Sequence, residues 1–104
     1  MMRIAFTMTL KDGFTDEYKN RHDAIWPELK GLLKKTGIRD YSIFLDERTN
    51  ILFACLSVYD AARLDELPGD PVMKRWWSYM QDIMETNPDG SPRSIALKEV
   101  FYLE

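Results

Sequence analysis

His22 is the only histidine in this 104-residue chain, and imidazole is the one side chain that titrates near neutral pH without help. Tyr18 stands four residues before it and Trp26 four residues after. On a helix that spacing sets a phenol, an imidazole and an indole along one face. Two hydrogen-bonding rings and one flat apolar plate make a wall for a polar, ring-shaped ligand. The same residues also suit a helix face packed into a core, with His22 satisfied by a backbone carbonyl. Spacing alone leaves both readings open.

A second group is the adjacent pair Trp76 and Trp77. Neighbours on a helix diverge by about a hundred degrees, so the two indoles have different jobs: one anchors the helix and the other walls a pocket. Alternatively both belong to the core, as Met73, Met80 and Met84 on the same stripe suggest. An indole face matches the C–H face of a sugar, and Tyr41 can bring a hydroxyl to the same cavity from a strand. A surface tyrosine is an equally ordinary reading of Tyr41.

Other chemistries find little support. One histidine and one cysteine make a zinc site a poor reading. The five glycines form no phosphate-binding loop, and no serine sits in a nucleophile-elbow pattern. What remains is proton transfer by His22, assisted by a phenol or carboxylate, in a pocket lined by aromatics. Asp23 follows His22 directly, but successive helical residues point in different directions.

The elements that must position these groups follow from periodicity. Arg3 to Leu10 alternates, with Ile4, Phe6, Met8 and Leu10 on one face of a half-buried strand. Thr15 is a candidate cap for a helix running toward Lys35, with Asp16 and Glu17 in its first turn. Pro27 must kink or break that helix near Trp26, and Gly37 ends it. Ile38 to Asp46 and Ile51 to Tyr59 read as strands joined by Glu47 to Asn50, hence as an antiparallel hairpin. The second of these is apolar on both faces: Ile51, Phe53 and Cys55 on one, Leu52, Ala54, Leu56 and Val58 on the other. Both faces need cover.

Ala61 to Leu67 suits a short helix. Asp70 and Pro71 then look like an N-cap and first helical position of a longer one, with Met73, Trp76, Trp77, Met80, Ile83 and Met84 on its apolar stripe. Asn87 to Pro92 is a loop, and Lys98 to Leu103 the expected last strand. The order strand, helix, strand, strand, helix, strand predicts a ferredoxin-like α+β fold, an antiparallel sheet with helices on one face. A second subunit's sheet or a ligand would cover the other face.

Composition bounds the rest. The length fits one domain over residues 1–104, with 45% hydrophobic and 12% aromatic residues. A net charge of −3 without a basic stripe argues against nucleic acid or an anionic membrane surface as partner. No stretch approaches the length of a membrane span, and the first ten residues lack a signal-peptide pattern. Cys55, within an apolar run, is expected to be a buried small hydrophobe in a reducing, cytoplasmic setting.

The combination Tyr18-x-x-Arg21-His22-x-x-Ile25-Trp26-Pro27-Glu28-Leu29, then Arg75-Trp76-Trp77-x-Tyr79-Met80, then Glu99-Val100-Phe101-Tyr102-Leu103 closely resembles the L-rhamnose mutarotase family over the whole chain. The resemblance implies a dimeric ferredoxin-like fold, a dimeric α/β barrel, that interconverts the α and β anomers of L-rhamnose without a cofactor. It implies His22 as proton donor and Tyr18, Tyr41, Trp76 and Trp77 as sugar contacts. Mutarotation moves one proton off the anomeric hydroxyl and another onto the ring oxygen, work that suits a group titrating near neutrality. The sequence leaves open whether a tyrosine, a carboxylate or water handles the second proton. Two alternatives use the same fold class: a cofactor-free or haem-degrading monooxygenase, and a sugar-binding module without catalysis.

Overall fold

The computed structural model describes residues 1–104 as one four-stranded antiparallel sheet with its helices packed on one face. The elements in order are β1 (Met2–Thr9), α1 (Thr15–Asp23), α2 (Pro27–Lys35), β2 (Ile38–Asp46), β3 (Ile51–Val58), a 3-10 helix (Ala61–Gly69), α3 (Pro71–Met80) and β4 (Ile95–Leu97). The strand order β2-β3-β1-β4 is that of a ferredoxin-like sheet, and it remains open at both edges. No helix is long and apolar enough to cross a membrane.

Alternation decides which face is buried. In β3, Leu52, Ala54, Leu56 and Val58 face the helices and are buried. Against them, across β1, lie Met8, Phe6, Ile4 and Met2. The core adds Leu29 from α2, then Met73, Trp76 and Met80 from α3. Beyond α3, Ile83 and Met84 are buried outside any helix, where Met84 bridges to Leu10. The helical stripe therefore continues past the helix as packing only.

β2 contains the one irregularity that bears on the site. Its register against β3 shifts between Arg39 and Ser42, so Asp40 and Tyr41 together oppose Leu56. This is a β-bulge, with Asp40 at φ 51. Strict alternation would place Ile38 and Ile43 on opposite faces. The extra residue lets Ile38 pair with Val58 and Ile43 with Ala54, both on the helix side.

Three expectations are corrected. Thr15 is the first residue of α1, not its cap; Phe14 holds the cap position without a side-chain hydrogen bond. Cys55 is exposed, because alternation puts it on the face away from the helices. The edge strand is Ile95–Leu97 on β1, three residues upstream of the expected start; residues 98–103 have no assigned strand and are exposed. Pro27 does break the long helix, since it opens α2 as the first helical residue. Trp26, at φ −60 and ψ 133, is extended backbone between two separate helices. Asp70 caps α3 as its sequence suggests, accepting from Val72 N at 2.8 Å.

Candidate functional site

A cleft of about 1050 Å³ lies between the helices and the sheet, and Tyr18, His22, Tyr41, Trp76 and Trp77 all line it. That volume is at the upper end of small-molecule sites. Three elements deliver the five side chains: α1 the phenol and imidazole, β2 the second phenol, and α3 the two indoles. Tyr41 enters from the bulge, where the register shift turns it toward the helix side.

His22 is fixed from three directions. Its ring stacks on Tyr18 with centroids 4.2 Å apart and planes at 25°. It meets Trp76 edge to face, 5.4 Å and 89°. Nδ1 lies 3.1 Å from the Tyr18 carbonyl oxygen. A carbonyl can only accept, so Nδ1 carries hydrogen and donates. In the neutral ring Nε2 is then left with a lone pair. Burial lowers the His22 pKa below 6.5, opposed by the bond to the Tyr18 carbonyl and by the charge of Asp23. The imidazole is therefore mainly neutral at pH 7, a base with Nε2 available.

The phenols behave oppositely. Burial, reinforced by the nearby Tyr41, pushes the Tyr18 hydroxyl well above its usual value. Desolvation pushes Tyr41 up to about 12, although its ring is partly exposed. Both keep their protons at neutral pH and serve as hydrogen-bond donors. The arrangement offers one proton acceptor, two protonated phenols and an indole wall, a combination suited to proton exchange on a hydroxylated ring. No group of three or more His, Cys, Asp or Glu side chains is placed to hold a metal ion.

The indoles divide. Trp76 is 5% exposed and belongs to the core cluster, while Trp77 is half-buried at its edge. Trp26 is not part of the cleft lining. The expected row of Tyr18, His22 and Trp26 fails because α1 stops at Asp23, and Trp76 supplies the third ring instead. Trp26 supports it from behind, 5.1 Å away and edge to face. Asp23 accepts from Lys19 at 3.1 Å, and both line the cleft. Sequence reasoning missed Lys19, and also Asn87, Ser91 and Ser94, which bring polar groups from the loop before β4. The only signal for that loop was its turn-forming composition.

The family model described as L-rhamnose mutarotase matches residues 3–103. An L-rhamnose mutarotase of Flavobacterium johnsoniae is 55% identical over 103 residues, covering 99% of this chain and 96% of that one. A crystal structure of an L-rhamnose mutarotase from Formosa agariphila, 51% identical, superposes with a TM-score of 0.93 over the full length of both chains. A structure titled antibiotic biosynthesis monooxygenase reaches a TM-score of 0.52 at 15% identity, covering 96% of this chain and 99% of that one, a likeness of fold alone. With the family model matched almost end to end and identity above half in a relative covered over 96% of its length, the chain belongs to the L-rhamnose mutarotase family.

Proposed function

We propose that this protein interconverts the α and β anomers of L-rhamnose, with His22 as the proton shuttle. The observation that carries the reading is the convergence of Tyr18, His22, Tyr41, Trp76 and Trp77, from three separate elements, on one cleft. Ring opening removes a proton from the anomeric hydroxyl and adds one to the ring oxygen. Neutral His22 takes the first at Nε2 as the bond between anomeric carbon and ring oxygen breaks. The imidazolium so formed, disfavoured by burial, is a ready acid and returns the proton to the ring oxygen. Rotation about the bond between the first two carbons then exposes the other carbonyl face, and the same transfers in reverse close the ring. Tyr18 and Tyr41 hold sugar oxygens as donors, and Trp77 offers its face to the sugar's C–H surface. General acid–base help of this kind contributes roughly a hundred- to ten-thousand-fold.

The working unit we propose is a single domain, residues 1–104, that pairs into a homodimer through the sheet face opposite the helices, giving a dimeric α/β barrel. Supporting this, that face carries Phe44 opposite Phe53, with Cys55, Ile95 and Leu97 beside them. Phe44 is 69% exposed in the single chain. A free, unpaired thiol at Cys55 suits the reducing cytoplasm.

The test is NMR saturation transfer between the anomeric protons of L-rhamnose, with and without protein. Exchange accelerated above buffer supports the reading. Sugar binding without exchange makes the protein a binding module, and neither effect removes the sugar from the account.

A further inference from the structure

We infer that Arg21 is a positioning residue for the reaction, clamping α1 to the C-terminal end of α3 so that His22 meets Trp76 at the cleft wall. The inference rests on the role of His22 proposed above. α1 has little close backbone contact with any other element, and Tyr18 is its only buried residue. Its place against the rest of the fold is therefore set by side chains.

Arg21 is the side chain built for that task. Its side chain is only 12% exposed, and its guanidinium uses all three nitrogens. Nε donates to Glu17 within α1 at 2.9 Å. Nη1 donates to the Tyr79 carbonyl oxygen at 2.7 Å and to Asp82 Oδ1 at 2.9 Å, and Nη2 donates to Asp82 Oδ2 at 3.2 Å. The Tyr79 carbonyl belongs to the last turn of α3, whose carbonyls lack helical partners and favour a cation. The guanidinium also lies 4.5 Å over the Tyr79 ring, which packs 5.6 Å from Trp76. One planar fork thus ties the residue next to His22 to the helix end that carries Trp76. A lysine offers a single point charge and cannot reproduce the fork.

Arg21→Gln, Arg21→Lys and Asp82→Ala test this with two readouts: kcat and KM for anomer exchange, and the NMR shifts of the His22 ring protons, which sense the stacked Tyr18 and the Trp76 edge. Asp82 lies outside the cleft lining and is exposed, so its removal spares the fold. Misplacement of a reacting group by about an ångström costs up to about a hundredfold. The expected result is a kcat lowered about tenfold or more in Arg21→Gln with KM little changed, partial recovery in Arg21→Lys, and His22 ring shifts moving toward free-imidazole values. Asp82→Ala moves both readouts in the same direction by less. Unchanged kcat and unchanged His22 shifts in folded Arg21→Gln overturn the inference; if that variant does not fold, the same null result in Asp82→Ala does so. Should wild type show no exchange, the proposed function fails separately, and the ring shifts alone still decide whether Arg21 positions His22.

Discussion

His22 donates from Nδ1 to the carbonyl oxygen of Tyr18, 3.1 Å away and one turn back along the same helix, while the Tyr18 ring stacks on the imidazole at 4.2 Å. The two residues are thus related twice, through backbone and through ring. The bond assigns the tautomer, and the stack fixes the plane in which Nε2 presents its lone pair. A structural satisfaction of one nitrogen and a chemical role for the other are compatible, so the two readings of His22 open at the level of spacing do not compete.

The lowered pKa of His22 has a consequence for stability. Burial depresses its folded value below the 6.5 of the unfolded chain, so between those values the unfolded state binds more protons. Stability from the neutral buried ring is present above 6.5 and is lost as pH falls through the folded value. Thermal melting followed between about pH 5 and pH 7 should show a stability that rises with pH, and His22→Gln should flatten that slope. Parallel slopes in the two proteins would contradict burial as the cause.

Tyr18→Phe and Tyr41→Phe each remove only a hydroxyl that borders the cleft. Activity should fall while the melting temperature stays near wild type, because the Tyr18 stack on His22 and the Tyr41 backbone bulge survive. The comparison of exchange rate with calorimetric melting checks this. Loss of stability matching the loss of rate would make the hydroxyls structural.

Trp76→Ala should destabilise by about 3–5 kcal/mol, since it empties a core position packed against Trp26 and His22. Trp77→Ala should cost less stability and show weaker L-rhamnose binding, read from a sugar titration. Equal destabilisation by both, with neither affecting binding, would return the pair to the core and remove Trp77 from the sugar site.

Sedimentation equilibrium at micromolar concentration should give twice the 12.2 kDa of the chain. Phe53→Lys, on the sheet face opposite the helices, should shift the protein toward monomer and lower its solubility. A monomer mass for wild type would leave that apolar face without its proposed cover.

Much of this arrangement is legible from local rules. Proline at 27 announces the helix break, Asp70 and Pro71 announce α3, and alternation in β3 assigns its buried face. What escapes is what depends on a third body. The bulge at Asp40 and Tyr41 is invisible to alternation, because it exists to reconcile Ile38 and Ile43 with one neighbouring strand. Trp26 keeps the right sequence spacing for the cleft yet leaves its lining, since the break that Pro27 imposes also ends the helical face that the spacing assumed. The tail Lys98 to Leu103 is the expected last strand, but strand requires a paired neighbour, and in the single chain Arg3 instead holds it by an ion pair to Glu99 and by stacking on Tyr102.

The most direct test of the central claim is saturation transfer between the L-rhamnose anomers, run side by side on wild type and His22→Gln. Glutamine keeps a hydrogen-bonding side chain on α1 but cannot cycle a proton. The account predicts exchange well above buffer with wild type, a fall of about a hundredfold or more with the variant, and unchanged circular dichroism. Near-native exchange by His22→Gln would contradict the proton shuttle, and absence of exchange in wild type would contradict the proposed reaction itself.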